Sequence, residues 1–525
     1  MSAAIYARLR VTDPARWRAA ALAWRRWAAM AGALGAEFGP LVARLRAAWS
    51  GPAVAAATNL IAGFRRRIAM FRVLCWRADQ ALSEFAAALA RARELLGRAR
   101  GRAGGAGLVI DDSGTVHGPS PDLPTVVADL SAALDVAARA DAEAAARLES
   151  MARAADSPGG SASWSGVVSA GGSASGSGAG SLGRPGCADG PEVVRRWWDG
   201  LSPGERNRLL VTEPGWLAST GGIPVADRDL ANRLLLDDHR ARAADGARRG
   251  LRNGLDELSA RLDDDAGLRP YLIGLDVSGD GRAVVALGDP DRARHVLTHV
   301  PGMTSDLESL GGELTRAGRV ADRAAEVNPA EAASAVLWLD YDAPDFLHEA
   351  WSDRQAREGG EGLRRFQEEL RATHDRTPAH LTVLGHSYGS VVVGAAAAGP
   401  LAADDVVFVG SPGVGVGSAG ELTVPAGRVW ATTSESDVIQ YAAVSPRSLP
   451  HDLTVAGIPV AGPVLAFGRP ERELWFGPNP SDPGFGGRVF ASQADAGHLG
   501  YWDPGRPALD GLARIVTGQE PATVR

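Results

Sequence analysis

The sequence predicts two architectures in one chain: an all-α helical bundle, then an α/β domain. The α/β domain is expected to hold a mostly parallel sheet of about eight strands with helices on both faces. Three observations carry this. Up to about residue 156 the apolar residues recur at alternating spacings of three and four, the helical period. Residues 157–190 are rich in Gly, Ser and Ala, which is linker composition. From Tyr271 onward, short β-branched runs alternate with helical stretches or long loops, the pattern of a parallel sheet. At 525 residues the chain is long for one domain. We therefore expect a bundle over 1–156, a linker over 157–190, and an α/β domain over 191–525 with a helical lead-in at 191–265.

Composition narrows the function classes. Hydrophobic residues make up 45% of the chain, enough for real cores, and the net charge is −7. Every basic residue is an arginine. Two cysteines, Cys75 and Cys187, cannot form a disulfide scaffold. Met1–Arg10 is too short and mixed for a secretory leader, and no apolar run reaches about 18 residues. A soluble, cytoplasmic protein with no integral membrane segment is the expectation. The first hundred residues hold seventeen arginines against five acids. Arginines on outer helix faces stay solvated and lay their stems beside the apolar seam. No aromatic-basic interleaving or nucleic-acid motif accompanies them, so no nucleic-acid partner is expected.

Asp13-Pro14 is a helix start, with a capping carboxylate and a proline tolerated in the first turn. Trp17, Ala20, Trp24, Trp27, Ala31, Leu34, Phe38, Leu41, Leu45 and Ala48 then trace one apolar seam. Gly39-Pro40 is expected to kink it. After Trp49-Ser-Gly-Pro52 the period restarts through Ile61, Phe64, Ile68, Phe71, Cys75, Leu82, Phe85 and Leu89, giving an antiparallel helical hairpin. A short hairpin-like insert, Leu108–His117, leads to a third helix marked by Val126, Leu130, Leu134, Ala137, Leu148 and Met151. Beyond the linker, Ser202-Pro-Gly-Glu205 is a capping box that opens short helices with Trp anchors, either a lid or a brace.

Tyr271–Val277 and Arg282–Leu287 flank Ser278-Gly-Asp-Gly281, a hairpin signal. Strands are then expected at His295–Val300, Ala335–Leu339, Leu381–Leu384, Val406–Val409, Val429–Thr432 and Arg488–Ala491, with a helix from about Asp306 to Glu326. A site in such a sheet lies at the carboxyl ends of its strands.

The chemistry-bearing stretch is Gly385-His-Ser-Tyr-Gly389, set between an apolar strand and a run of small, β-branched residues. This is the context in which a serine sits on a strained turn with its hydroxyl exposed, so Ser387 is the candidate nucleophile. A serine hydroxyl needs an imidazole to take its proton, a carboxylate to orient that imidazole, and backbone donors for the oxyanion. Downstream of Ser387 only His451 and His498 are available. His498 follows the last strand, where a base should project, and it is preferred. The acid is expected from the end of an earlier strand: Asp437, ahead of Glu435, with Asp495 too close in sequence to His498. The oxyanion donors are expected to be the N–H of Tyr388 and that of Met303, with Gly302 second, from the Pro301-Gly-Met303 loop. No metal array or dinucleotide fingerprint is present, so no cofactor and no metal are expected. His295 and His299 read as packed histidines of a strand.

Two resemblances follow from these residues. Trp49-x-Gly51 between two helices is similar to the Trp-x-Gly helical-hairpin proteins of type VII secretion in actinobacteria. It implies a helical partner for residues 1–156 and makes export by that route conceivable. That family's Tyr-x-x-x-Asp/Glu signal does not follow the hairpin here, and Tyr341/Asp345, which fit the spacing, lie in the later domain. Residues 191–515 resemble an actinobacterial α/β-hydrolase family of unknown function. The resemblance rests on Gly222-Ile-Pro224 with Arg228–Arg233, Val300-Pro-Gly302, Tyr341–Pro344, Gly385–Gly389, Gly410–Gly413, Asp482–Gly486, and His498 followed by Tyr501. It implies an α/β-hydrolase fold and a Ser387–Asp437–His498 triad. The expected function is a serine hydrolase acting on small or lipid-derived carboxylic esters through an acyl-enzyme. The alternative is a non-catalytic interaction or type VII-associated protein on a hydrolase scaffold.

Overall fold

The computed structural model describes residues 3–156, 184–186, 189–244, 249–264, 266–344, 353–375, 377–441 and 473–523. The expectations for Cys187, Asp345, His451 and most of the 157–190 linker lie outside these residues. The chain divides into two compact units, Met1–Ala241 and Arg242–Arg525.

The first unit begins with helices α1 (Ala3–Val11), α2 (Pro14–Ala36) and α3 (Phe38–Ala48). The 54-residue α4 (Pro52–Gly105) and α5 (Leu123–Asp156) follow. Asp13 caps α2 by accepting the Ala15 N–H at 3.0 Å. The expected kink at Gly39-Pro40 appears instead as a break at Glu37, because the ring of a helical proline presses on the carbonyl four residues earlier. That residue is Ala36, where α2 ends. Trp49 and Gly51 stand at the next break, as the last cap of α3 and the first cap of α4. Between α4 and α5, Val109–Ile110 pairs with Val116–His117 across a turn whose Asp111 carboxylate accepts the Ser113 and Thr115 N–H groups.

The expected apolar seam of α2 is not its buried face. Ala21, Arg25 and Ala28 are buried, whereas Trp24 is 42%, Trp27 54% and Leu34 59% exposed. Two local causes account for the inversion. Small residues at 21, 28, 32 and 35 let α2 and α4 approach closely: a Cβ on Gly32 would lie 2.9 Å from the Arg72 guanidinium carbon, and one on Gly35 3.4 Å from Ile68 Cγ2. Arg25 must also face inward to meet the fully buried Asp79 at 3.0 Å. Trp17 of the seam finds an aromatic partner, edge-on to Phe85 at 4.9 Å.

Four further helices, α6 (Pro191–Gly200), α7 (Pro203–Thr212), α8 (Pro214–Ser219) and α9 (Val225–Ala244), follow in the chain. The Ser202/Glu205 capping box opens α7. Trp197, Trp198, Leu210 and Leu217 share a core with Ala28, Val73, Cys75 and Trp76. Residues 191–241 therefore fall in the first unit, while α10 (Arg249–Asp263) falls in the second. Burial pushes the Cys75 thiol up to about 11, so it packs as a small apolar group.

The second unit is an eight-stranded sheet, numbered here along the chain. Its strands are β1 (Pro270–Asp276), β2 (Arg282–Leu287), β3 (His295–Val300), β4 (Ala333–Leu339), β5 (His380–His386), β6 (Asp405–Val409), β7 (Val429–Thr432) and β8 (Arg488–Val489). Their spatial order is 1-2-4-3-5-6-7-8. The β1–β2 and β2–β4 pairs are antiparallel and the rest parallel. Helices cover both faces, as the period-two geometry of β3 shows. Leu297 and His299 face α11 (Leu310–Val327), where His299 meets Glu313. Thr298 points the other way and accepts a hydrogen bond from Gln367 of α12 (Arg354–Thr373) at 2.8 Å. The short α13 (Gly389–Ala397) follows β5 directly, and α14 (Pro507–Val516) packs beside α11. Among the described residues no helix is long and apolar enough to cross a membrane.

Removing one member of a buried ion pair strands the other charge at a cost of about 3 kcal/mol or more. Arg25→Ala is expected to lower the stability of the first unit by that amount in urea unfolding. A cost below about 1 kcal/mol would show that the Arg25–Asp79 pair does not hold α2 to α4.

Candidate active site

Ser387 sits between the end of β5 and the start of α13 with φ 53°, in a region that side-chain-bearing residues avoid. Its two flanking glycines explain how the turn is tolerated. A Cβ on Gly385 would lie 2.6 Å from the Gly389 carbonyl oxygen, and one on Gly389 would lie 2.3 Å from that of Val300. Neither position has room for a side chain. The Ser387 N–H donates to the Val409 carbonyl at 3.1 Å, which ties the turn to the end of β6.

The neighbouring loop, Pro301-Gly-Met303, follows β3. A Cβ on Gly302 would approach Ser387 Oγ to 3.2 Å, so this loop passes directly beside the serine. The buried Tyr341 hydroxyl donates to the Pro301 carbonyl at 2.6 Å and lies 3.3 Å from that of Gly302. In a trans peptide the C=O and the following N–H point in opposite directions, so the Met303 N–H faces away from Tyr341.

Asp437 follows β7 and is fully buried; His498 lies beyond β8. The His498 Nδ1–H group donates to both Asp437 oxygens, at 2.9 and 3.0 Å. Asp437 also accepts the Tyr501 hydroxyl at 2.5 Å and the Ile439 N–H at 2.9 Å. Burial pushes this carboxyl up, but His498, Tyr501 and Ile439 together hold it below the ordinary aspartate range. Gly410, with φ 53°, is the floor of the pair: a Cβ there would stand 2.7 Å from Asp437 Oδ2 and 3.3 Å from His498 Nδ1.

Two links connect the serine turn to the segment that carries the histidine. Val409, which receives the Ser387 N–H, is followed at once by Gly410 beneath the Asp437–His498 pair. His386, the residue before Ser387, donates from Nε2 to the His498 main-chain carbonyl at 3.0 Å, and their rings lie 4.7 Å apart. Trp502 meets the His386 ring edge-on at 4.8 Å. Burial pushes the His386 imidazole down to about 3, leaving it neutral.

The competing acids stand elsewhere. Glu435 is exposed, and Asp495 pairs with Arg506 at 2.8 Å. His299 is wholly buried against Glu313, whose carboxyl burial pushes up but the His299 hydrogen bond and the Arg316 guanidinium bring down to about 2. Sequence reasoning gave no local role to Tyr341, His386, Gly410 or Tyr501. Their partners are distant in sequence, although the Gly410 and Tyr501 blocks had been singled out by resemblance.

Because folded His386 stays neutral down to about pH 3 while an unfolded histidine takes a proton near 6.5, stability is lost as pH falls through that window. The slope is about 1.4 kcal/mol per pH unit for one proton. His386→Asn is expected to flatten the urea-stability profile between pH 6.5 and 3. A profile as steep as wild type would show that His386 is protonated in the native protein.

Residues 276–446 match a family model described as an alpha/beta hydrolase. The chain is 30% identical over 377 residues to the uncharacterized protein Rv2079 of Mycobacterium tuberculosis, covering 63% of this chain and 56% of that one. It is 36% identical over 169 residues to the uncharacterized proteins Rv0963c of M. tuberculosis and Mb0988c of Mycobacterium bovis, covering 30% of this chain and 64% of each. The chain thus spans just over half the length of the longer relative. No solved structure matches it. The strand order, the strained serine turn and the family match make the second unit an α/β-hydrolase domain, of an actinobacterial family whose matched mycobacterial members are uncharacterized.

Proposed function

We propose that the protein is a serine hydrolase that cleaves carboxylic esters through an acyl-enzyme. The observation that carries this reading is an imidazole held by a buried carboxylate and tied, through His386, to a serine forced into φ 53°. Ser387 Oγ would attack the ester carbonyl while His498 takes its proton; Asp437 keeps the accepting nitrogen of His498 free by holding the proton on the other. The oxyanion would form against the N–H groups of Tyr388 and Met303, with Gly302 as second donor from the same loop. His498 would return its proton to the leaving alcohol, and water would resolve the acyl group by the same route. This chemistry needs no metal and no cofactor, and it suits a small or lipid-derived ester.

A fluorophosphonate probe tests it. Wild type is expected to label, and Ser387→Ala not at all. His498→Ala should slow both labelling and turnover of short p-nitrophenyl esters by about 10³-fold or more. Folded wild type that takes no label would sink the reading, and labelling of Ser387→Ala would move the nucleophile elsewhere.

A second reading concerns the helical unit. Trp24, Trp27, Leu34, Leu41, Trp49, Leu60, Phe64 and Phe71 are all exposed on α2, α3 and the first half of α4. Between Pro14 and Arg72 the chain carries ten arginines and one acid, Glu37. An apolar stripe of heptad spacing on a cationic hairpin suits an acidic amphipathic helix, as an interaction or secretion-associated role would require. A synthetic helix with Leu at a and d and Glu elsewhere is expected to bind and to shift tryptophan emission. Equal response from a Trp24→Glu/Trp27→Glu variant would remove this surface from consideration.

A further inference from the structure

The Asp437 carboxylate has a second strong donor that the triad chemistry leaves without a role. Tyr501 lies three residues after His498, in a one-turn 3₁₀ helix, Gly500–Trp502. Its side chain is fully buried. The hydroxyl donates to Asp437 Oδ2 at 2.5 Å and accepts the Ser434 N–H at 2.9 Å. Ser434 is itself anchored, its hydroxyl donating to the Gln493 and Ala494 carbonyls at 2.8 and 2.9 Å. The loop after β7, which carries the acid, and the segment after β8, which carries the base, are therefore joined through one phenol.

We propose that Tyr501 is a positioning residue for catalysis: its hydroxyl holds the Asp437 carboxylate in the plane that His498 Nδ1 requires and tempers its charge. This rests on the hydrolase reading above and extends it to a fourth side chain. The direction of the bond follows from its partners. A carboxylate accepts only, and the Ser434 N–H occupies a lone pair of the phenol oxygen, so the phenol proton must point to Asp437. Burial and the adjacent carboxylate both push the Tyr501 hydroxyl up, so it keeps that proton throughout the working range. The groups facing Asp437 are His498, Tyr501 and the Ile439 N–H, with Gly410 closing the remaining side. His498 is the imidazole against Asp437, while Glu313, paired with Arg316, acts on the neighbouring His386.

The bond works on two quantities at once. Geometrically, a carboxylate held at both oxygens cannot rotate away when His498 gains a proton. Electrostatically, the phenol is one of the donors that keep Asp437 ionised against the penalty of burial. Taking the phenol oxygen away leaves that penalty less opposed, so the carboxyl should titrate at higher pH. Strengthening the donor should do the reverse.

The test uses the full chain with two changes of opposite sign, Tyr501→Phe and replacement of Tyr501 by 3-fluorotyrosine, which keeps the ring and hydroxyl but donates more strongly. The Asp437 carboxyl is followed by ¹³C NMR of labelled aspartate, assigned with Asp437→Asn. The acid titration of Asp437 is expected to move up in Tyr501→Phe and down in the fluorotyrosine protein. With short esters, kcat should fall about tenfold or more in Tyr501→Phe with KM little changed, as loss of a charge-assisted hydrogen bond implies. An Asp437 titration that is the same in all three proteins would overturn the proposal, as would an equal kcat loss when Tyr501→Phe is made on top of Asp437→Asn. If Tyr501→Phe fails to fold, the fluorotyrosine protein decides by the same titration. Absence of turnover in wild type would count against the hydrolase reading alone, because the carboxyl titration is read without substrate.

Discussion

Much of the second unit depends on one close approach between backbones. Gly389, at the first turn of α13, lies so near the end of β3 that a single added carbon would fall 2.3 Å from the Val300 carbonyl oxygen and 2.5 Å from that of Pro301. That contact brings the loop after β3 alongside the turn after β5. It therefore decides where backbone N–H groups can stand relative to Ser387. Gly385 meets the same helix from the other side, with a virtual Cβ 2.6 Å from the Ser390 Cα. The strained φ of Ser387 is sustained by this crowding: the Ser390 hydroxyl donates to the Gly385 carbonyl at 3.0 Å, and the Ser387 N–H is held by β6. A turn so over-determined can keep a side-chain-bearing residue in a conformation it would leave if free.

The second constraint is electrostatic. Asp437 is a buried carboxylate, and an isolated one would be several kcal/mol too costly to keep charged. Three donors, two of them side chains from beyond β8, make the ionised form the stable one. The same donors fix its orientation, so the features that make the charge tolerable are those that aim the imidazole. Gly410 completes the arrangement by leaving empty the volume a side chain would take against Asp437 and His498.

How much of this was legible in the sequence depended on how local the cause was. The strands of the sheet follow from β-branched runs and a period of two, and the observed ends fall within a few residues of those expected. The positions of Ser387, Asp437 and His498 after β5, β7 and β8 were equally readable, because the strand ends that precede them were. The α2 seam was misread for a definite reason. Spacing alone cannot say which of two heptad-like stripes on one helix is buried. The stripe at 21, 25, 28, 32 and 35 contains an arginine and two glycines, so it scores poorly as a core. It is inside because small residues permit close approach and because Asp79, more than fifty residues away, waits for Arg25. Tyr501 and His386 were opaque for the same reason: each acts on a partner that only the closed sheet brings near.

His386 shows why two imidazoles can stand side by side at such a site. A cation 4.7 Å from the His498 ring would oppose any proton arriving there, and in a poorly hydrated site that opposition would be large. His386 avoids this by being enclosed. Trp502 covers its ring edge-on, and burial removes the water that would stabilise its charged form. The neutral ring retains one N–H, and the His498 carbonyl at 3.0 Å requires that proton to sit on Nε2. The residue that precedes Ser387 thus steadies the backbone of His498 without placing a charge beside its ring. That division, in which one histidine is kept neutral by enclosure and the other is backed by a carboxylate, is what the fold around β5 and β6 makes possible.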